Sequence, residues 1–212
     1  TLGMNWQINE SHSVGIRYRP GFELRSESSQ EGKSVANIGG ILDDETNTDA
    51  IGLTEPSPTH EVNMYYNGRA GKLNIDFNAD FHDSRRKELK TYNEISKYQD
   101  NRILNTSSNT HNRLYASKLT LTYPLFGGIL TAGSEYSNTM RYDEYINDEG
   151  YVPSAYTKIR EYELSAYAEY IYPFRFGSLT AGIRYEHIGF NYYENDVLMD
   201  DQSRNYDNFY PN

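Results

Sequence analysis

The chain has no cysteine, one tryptophan, seven prolines and a third fewer basic than acidic side chains, 20 against 30, in 212 residues. Each shortage removes a class of protein. Without cysteine there is neither a disulfide scaffold nor a thiolate metal site, although that alone identifies no compartment. The net charge of −10 sets nucleic acid aside as a partner, because phosphate recognition needs clustered Lys and Arg. No stretch approaches the roughly 18 consecutive apolar residues of a transmembrane helix. With 37% hydrophobic residues and a mean hydropathy of −0.81, a thick aliphatic core is not expected either. Aromatics are what the chain has in excess: 21 Tyr and 8 Phe, too many for a disordered polypeptide.

Those aromatics fall on an alternating pattern. From Ser13 to Arg25, Val14, Ile16, Tyr18, Pro20, Phe22 and Leu24 share one parity, and Gly15, Arg17, Arg19, Gly21, Glu23 and Arg25 the other. From Lys72 to His82, Leu73, Ile75, Phe77, Ala79 and Phe81 separate from Lys72, Asn74, Asp76, Asn78, Asp80 and His82. Weaker alternation runs through Val62 to Tyr66, Tyr115 to Tyr123, Leu130 to Tyr136, Tyr162 to Tyr172 and Leu179 to Tyr185, and Leu2, Met4, Trp6 and Ile8 share a face in the first residues. Period-2 separation of this kind predicts half-apolar strands. A tilted membrane strand needs only about ten residues with every second one facing lipid, so such a chain is hydrophilic on average.

The connections are sorted by length. Short turns are expected at Asn9 to His12, Asn67 to Gly71, Pro124 to Gly128 and Pro173 to Ser178, and long polar loops at Ser26 to Thr59, Asp83 to Asn112, Asp143 to Thr157 and Glu194 to Asn208. Barrels of the outer membrane sort their connections this way, with short periplasmic turns and longer extracellular loops. An internal repeat supports it. Residues 123–136, YPLFGGILTAGSEY, and 172–185, YPFRFGSLTAGIRY, agree at eight of fourteen positions. Tyr66 precedes Leu73 by the same interval that separates Tyr123 from Leu130 and Tyr172 from Leu179. Tyr66, Tyr123 and Tyr172, with Trp6, are therefore expected to form an interfacial girdle, the ring in hydrocarbon and the hydroxyl in water.

These features give an expected fold: all-β, an antiparallel up-and-down transmembrane barrel segment of about 7–8 strands, with residues 1–212 forming part of a larger barrel. NWQINESHSVGIRYRPGFE at Asn5 to Glu23, the paired YP…LTAG…Y hairpins, GIRYEHIGF at Gly182 to Phe190 and the closing NYDNFYPN resemble the barrel of TonB-dependent outer-membrane receptors, particularly the outer-membrane β-barrel family common in Bacteroidetes. The resemblance implies uptake of a scarce ligand, such as a metal chelate or an oligosaccharide. It implies outer-membrane lipid, a plug domain and the TonB energy-coupling system as partners, and the bacterial outer membrane as location. Neither a plug domain nor a TonB box is recognised in these residues. The alternatives are a small structural or adhesive barrel without transport, and a soluble β-sandwich.

No catalytic, cofactor-binding or metal-ligating residue is assigned, and the chain is not expected to be an enzyme. Arg17, Arg19, Arg25, Asp76, Asp80, Glu135, Glu161, Glu163, Arg184 and Glu186 have the polar parity and are read as a hydrated, partly salt-bridged wall. The acidic clusters Asp43-Asp44-Glu45, Asn147-Asp148-Glu149-Gly150 and Asp200-Asp201 lack the one-three-five order of a calcium loop and are read as solvated charge. His12, His60, His82, His111 and His187 are scattered, with none of the pair spacings of a metal site.

Overall fold

The computed structural model describes all residues, 1–212. Antiparallel strands account for the regular structure, with no helix: β1 (Leu2–Asn9), β2 (His12–Glu23), β3 (Ser26–Ile38), β4 (Ile41–Glu55), β5 (Ser57–Ala70), β6 (Leu73–Ser96), β7 (Arg102–Leu125), β8 (Gly128–Asn147), β9 (Ala155–Phe174), β10 (Gly177–Glu194), β11 (Val197–Leu198) and β12 (Arg204–Pro211). They form one sheet in the order β1-β2-β5-β6-β7-β8-β9-β10, with β12 beside β10. The sheet does not close on itself, and it holds twelve strands where about 7–8 were expected.

The extra strands have a local cause. β2 and β3 are successive parts of one rising path, interrupted at residues 24–25, and β4 and β5 are parts of the returning path, interrupted at Pro56. Proline lacks the backbone donor a ladder needs. β6 spans both parts, pairing through Leu73–Ser84 with β5 and through Lys87–Ser96 with β4. Most of the residues expected to be long loops are thus paired backbone that continues beyond the membrane-sized segments. Their two faces are both polar, so the alternation that marks a lipid-facing strand is missing there.

The short connections are tighter than expected. Residues 10–11, 71–72, 126–127 and 175–176 each turn the chain in two residues. Phe126 and Gly127 both have positive φ, 47° and 81°, as a type I′ hairpin turn requires.

Register decides whether the alternation on separate strands adds up to two faces, and it does. Met4 pairs with Ile16, Ile16 with Met64 and Met64 with Ala79. Phe77 pairs with Leu119, Leu121 with Ala132, Ala132 with Ala168 and Ala168 with Ile183. One residue of slip at any ladder would send these side chains to the other face. The two repeat copies take equivalent places, with Tyr123 opposite Leu130 and Tyr172 opposite Leu179. The third hairpin departs from the expected equivalence: Tyr66 pairs with Phe77, while Leu73 meets Ala70. Its turn lies two positions further along the strand, and Tyr66 is held instead by a 2.7 Å hydrogen bond with the ring of His12.

There is no apolar interior. No hydrophobic residue is buried, and Leu2, Met4, Trp6, Phe22, Leu179 and Phe209 are each more than 60% exposed. On an isolated sheet this face is an aggregation surface, so the hydrocarbon of a bilayer takes the place of a core. The apolar outward positions on β7 run from Tyr123 through Leu121 and Leu119 to Tyr115, about the length of a tilted membrane strand.

The polar face is packed by tyrosine over glycine. A Cβ at Gly133 would lie 2.6 Å from the Tyr167 ring and 2.5 Å from the Leu119 carbonyl oxygen. Tyr167 is thereby laid across the sheet, its hydroxyl 3.0 Å from Thr120 Oγ1. Gly133→Val is expected to displace the ring and cost about 1–3 kcal/mol, as overpacking does. Urea unfolding in liposomes measures it; an unchanged midpoint would mean that the ring is not seated there.

Candidate functional site

The wall begins on β2, β5 and β6. Arg17 donates to Asn63 Oδ1 at 3.4 Å, and Asn63 in turn donates to Asp80 Oδ1 at 2.8 Å. Arg19 pairs with Glu61, whose other carboxylate oxygen lies 3.7 Å from His82 Nδ1. Each of these contacts crosses between adjacent strands, the sheet counterpart of a same-face helix pair.

A denser cluster spans β7 to β10. Lys118 Nζ lies 2.6 Å from Glu135, and Arg184 reaches Glu135 at 2.8 Å, Glu186 at 2.5 Å and Glu163 at 3.5 Å. The ring of Tyr167 lies 5.8 Å from the guanidinium carbon of Arg184. Ser165 pairs with Glu135 on one side and Glu186 on the other, is fully buried and leaves its Oγ without a partner. Its small side chain leaves room for the carboxylates to converge on Arg184 above it.

Of the ten wall charges anticipated from parity, Glu135, Glu163, Arg184 and Glu186 come together in one network. Arg17 and Arg19 join the smaller cluster, and Asp76 binds Asn78 Nδ2 at 2.9 Å. Arg25 lies outside the wall, between β2 and β3, in an exposed pair with Glu27. Lys118, Glu61, Asn63 and Tyr167 were missing from that set. Their parity was readable, but their partners depend on register.

The acidic clusters are not simply solvated charge. The Asp44 carboxylate accepts from Ser96 Oγ at 2.8 Å, from the Tyr98 backbone at 3.1 Å and from Thr46 Oγ1 at 3.1 Å, tying β4 to the turn after β6. Partial desolvation pushes its pKa up, but these hydrogen bonds outweigh that and hold it below the usual aspartate range. Glu149 accepts from the Asn105 backbone at 2.8 Å and from its side chain at 2.7 Å, the first of which does most to lower its pKa.

For a carboxylate with a depressed folded-state pKa, the stabilisation is present above its unfolded pKa and lost as pH falls through the folded value. The turn at residues 97–101 should therefore resist proteolysis at neutral pH and loosen in acid below the normal aspartate range. Asp44→Ala is expected to loosen it at neutral pH and remove the acid transition, read by limited proteolysis and amide exchange. A turn equally protected in both proteins would show that Asp44 does not hold it.

The histidines also have partners. His60 shares a 2.7 Å hydrogen bond with Tyr18, His111 lies 2.7 Å from Asp83 and His187 lies 2.8 Å from Asp207. His12, expected in a turn, is the first residue of β2.

Residues 67–212 match the outer membrane protein beta-barrel family. No curated protein matches the chain in sequence. Among solved structures it is similar to the outer membrane protease OmpT from Escherichia coli, at 13% identity and a TM-score of 0.32, over 98% of this chain and 78% of that one. It is similar to the ferric citrate transporter FecA in its unliganded form, at 9% identity and a TM-score of 0.43, over 99% of this chain and 37% of that one. The alcaligin outer membrane receptor FauA from Bordetella pertussis aligns at 10% identity and a TM-score of 0.36, over 99% of this chain and 39% of that one.

These matches correct one expectation. The chain was not expected to be an enzyme, and a protease of the outer membrane stands among the similar structures. The two-faced sheet and the match over residues 67–212 lead to one assignment: the chain belongs to the outer membrane protein beta-barrel family, and its place is the bacterial outer membrane.

Proposed function

We propose that residues 1–212 form a wall section of a TonB-dependent type of receptor barrel that takes up a scarce ligand, such as a metal chelate or an oligosaccharide. The observation that carries this reading is the polar face, crossed by ion pairs from Arg19 to Arg184, behind an apolar face on a sheet in which the edge strands β1 and β12 each pair on one side only. Unpaired backbone groups at membrane depth cost several kcal/mol each, of order, so a stable wall has its edges joined to further strands. A barrel wider than this sheet has a lumen, and a charged lumen wall suits contact with a plug domain and a polar ligand. The plug and the TonB energy-coupling system are partners in this proposal.

The test is genetic. Disrupting the gene in its native host should slow growth when iron chelates, corrinoids or oligosaccharides are limiting, and only for the ligand that the receptor takes up. Abolishing energy coupling from the inner membrane should reproduce the defect. Unchanged growth on every member of the panel, with no plug domain in the reading frame, would overturn the uptake reading.

A further inference from the structure

We propose that the outward face carries, just beyond its apolar band, a binding site for a phosphorylated lipid headgroup of the outer leaflet, built from Arg85, Lys158 and Arg160. This rests on the outer-membrane assignment and not on the uptake reading.

Following the outward positions along each strand gives the location. On β6 they pass Phe81 and then reach Asp83 and Arg85; on β7 they pass Tyr115 and reach Arg113 and His111; on β9 they pass Tyr162 and reach Arg160 and Lys158. Register brings these positions into two neighbouring rows. One runs Asp83, Arg113, Met140, Arg160, and the next runs Arg85, His111, Tyr142, Lys158, Tyr193. This end of the strands lies opposite the turns at residues 10–11, 71–72, 126–127 and 175–176, and the longer connections at residues 97–101 and 148–154 are on its side, which places it on the extracellular side. Amphipathic aromatics mark the edge of the hydrocarbon, so the first positions beyond Phe81, Tyr115 and Tyr162 stand at headgroup depth.

Charge pairing separates this group from the polar wall. There, Arg19, Lys118 and Arg184 all contact carboxylates. In the outward rows, Asp83 is engaged by His111 at 2.7 Å and Arg113 at 3.1 Å, and in the row beyond them Glu144 is engaged by Asn109 at 2.9 Å. Arg85, Lys158 and Arg160 have no carboxylate partner, and Arg85 and Arg160 are exposed. Lys158 is held between two rings, its Nζ 5.6 Å from the centre of Tyr142 and 5.1 Å from that of Tyr193, and Arg160 lies 5.6 Å from the centre of Tyr162. Cations held against aromatic faces give up little freedom on meeting an anion. Their complement at this depth is phosphate, which accepts bidentate hydrogen bonds from guanidinium groups.

The experiment uses the full-length protein, purified from outer membranes and placed in phosphatidylcholine nanodiscs with and without lipid A, with retained lipid counted by native mass spectrometry. Lipid A should be retained in preference to phosphatidylcholine. Arg85→Gln, Lys158→Gln and Arg160→Gln should each weaken retention about fivefold, and added salt should weaken it further. Lys158→Arg keeps the charge and should keep the lipid, while Arg175→Gln, in a short turn at the opposite rim, should change nothing. Inorganic phosphate should not displace the lipid. Equal retention of the two lipids, equal loss in Arg175→Gln, or displacement by phosphate at matched concentration would each overturn the site; circular dichroism confirms that each variant keeps its strands.

Discussion

Leu119→Arg is expected to keep the protein out of the membrane, whereas Asn78→Arg is expected to leave insertion intact. Leu119 lies midway along the outward row of β7, between Phe77 and Ser134, with Tyr123 and Tyr115 marking the two ends of that row. An arginine at the bilayer midplane of such a wall costs about 2–4 kcal/mol, falling toward the interfaces. Asn78 has the opposite parity and lies between Asp76 and Asp80 on the polar face, where a new cation meets carboxylates and water. Its effect should stay within about 0.5 kcal/mol. Outer-membrane yield and the urea midpoint after refolding into liposomes measure both. Equal tolerance at the two positions would remove the assignment of lipid to the Leu119 face, and with it the reason this sheet needs no core.

The pair also shows what could be read from the chain. On β2 and β6 the two faces separate completely by parity, because one side must satisfy hydrocarbon and the other water. Where both sides meet water that contrast vanishes, and Ser26–Ile38, SESSQEGKSVANI, offers no parity signal although it is a paired strand. The expected loops differ from the structure for that reason, and the strand count differs also because breaks at residues 24–25 and at Pro56 divide single paths into two strands. Contacts set by register were hidden as well: Asp44 meets Ser96 across 52 positions, and Tyr66 meets Phe77 in place of Leu73 because one turn is shifted. Tyr115 and Tyr162, at the extracellular end, have outward parity in the sequence, but only register brings the cations beyond them into neighbouring rows.

Arg184→Leu is expected to destabilise the folded wall by about 2 kcal/mol, the largest effect of any single charge removal on the polar face. The side chain is 29% exposed and joins Glu135, Glu163 and Glu186. Breaking a fully buried pair costs about 3–5 kcal/mol and an exposed one rarely more than about 1, so a half-buried hub falls between. Leucine keeps much of the packing but leaves Lys118 as the remaining cation of the cluster, and Lys118 is already bound to Glu135. Glu163 and Glu186 would then repel without compensation. Arg184→Leu combined with Glu186→Leu should recover part of the loss, since contacting residues are not additive. Arg25→Leu, which removes a pair exposed at 64% and 69%, should cost under about 0.5 kcal/mol. If urea unfolding in liposomes gave the same small loss for Arg184 as for Arg25, the charges on this face would be solvated and independent. A graded series, with the double variant between the extremes, would mean that β7 to β10 are braced through one guanidinium, leaving the wall rigid where a lumen needs it to be.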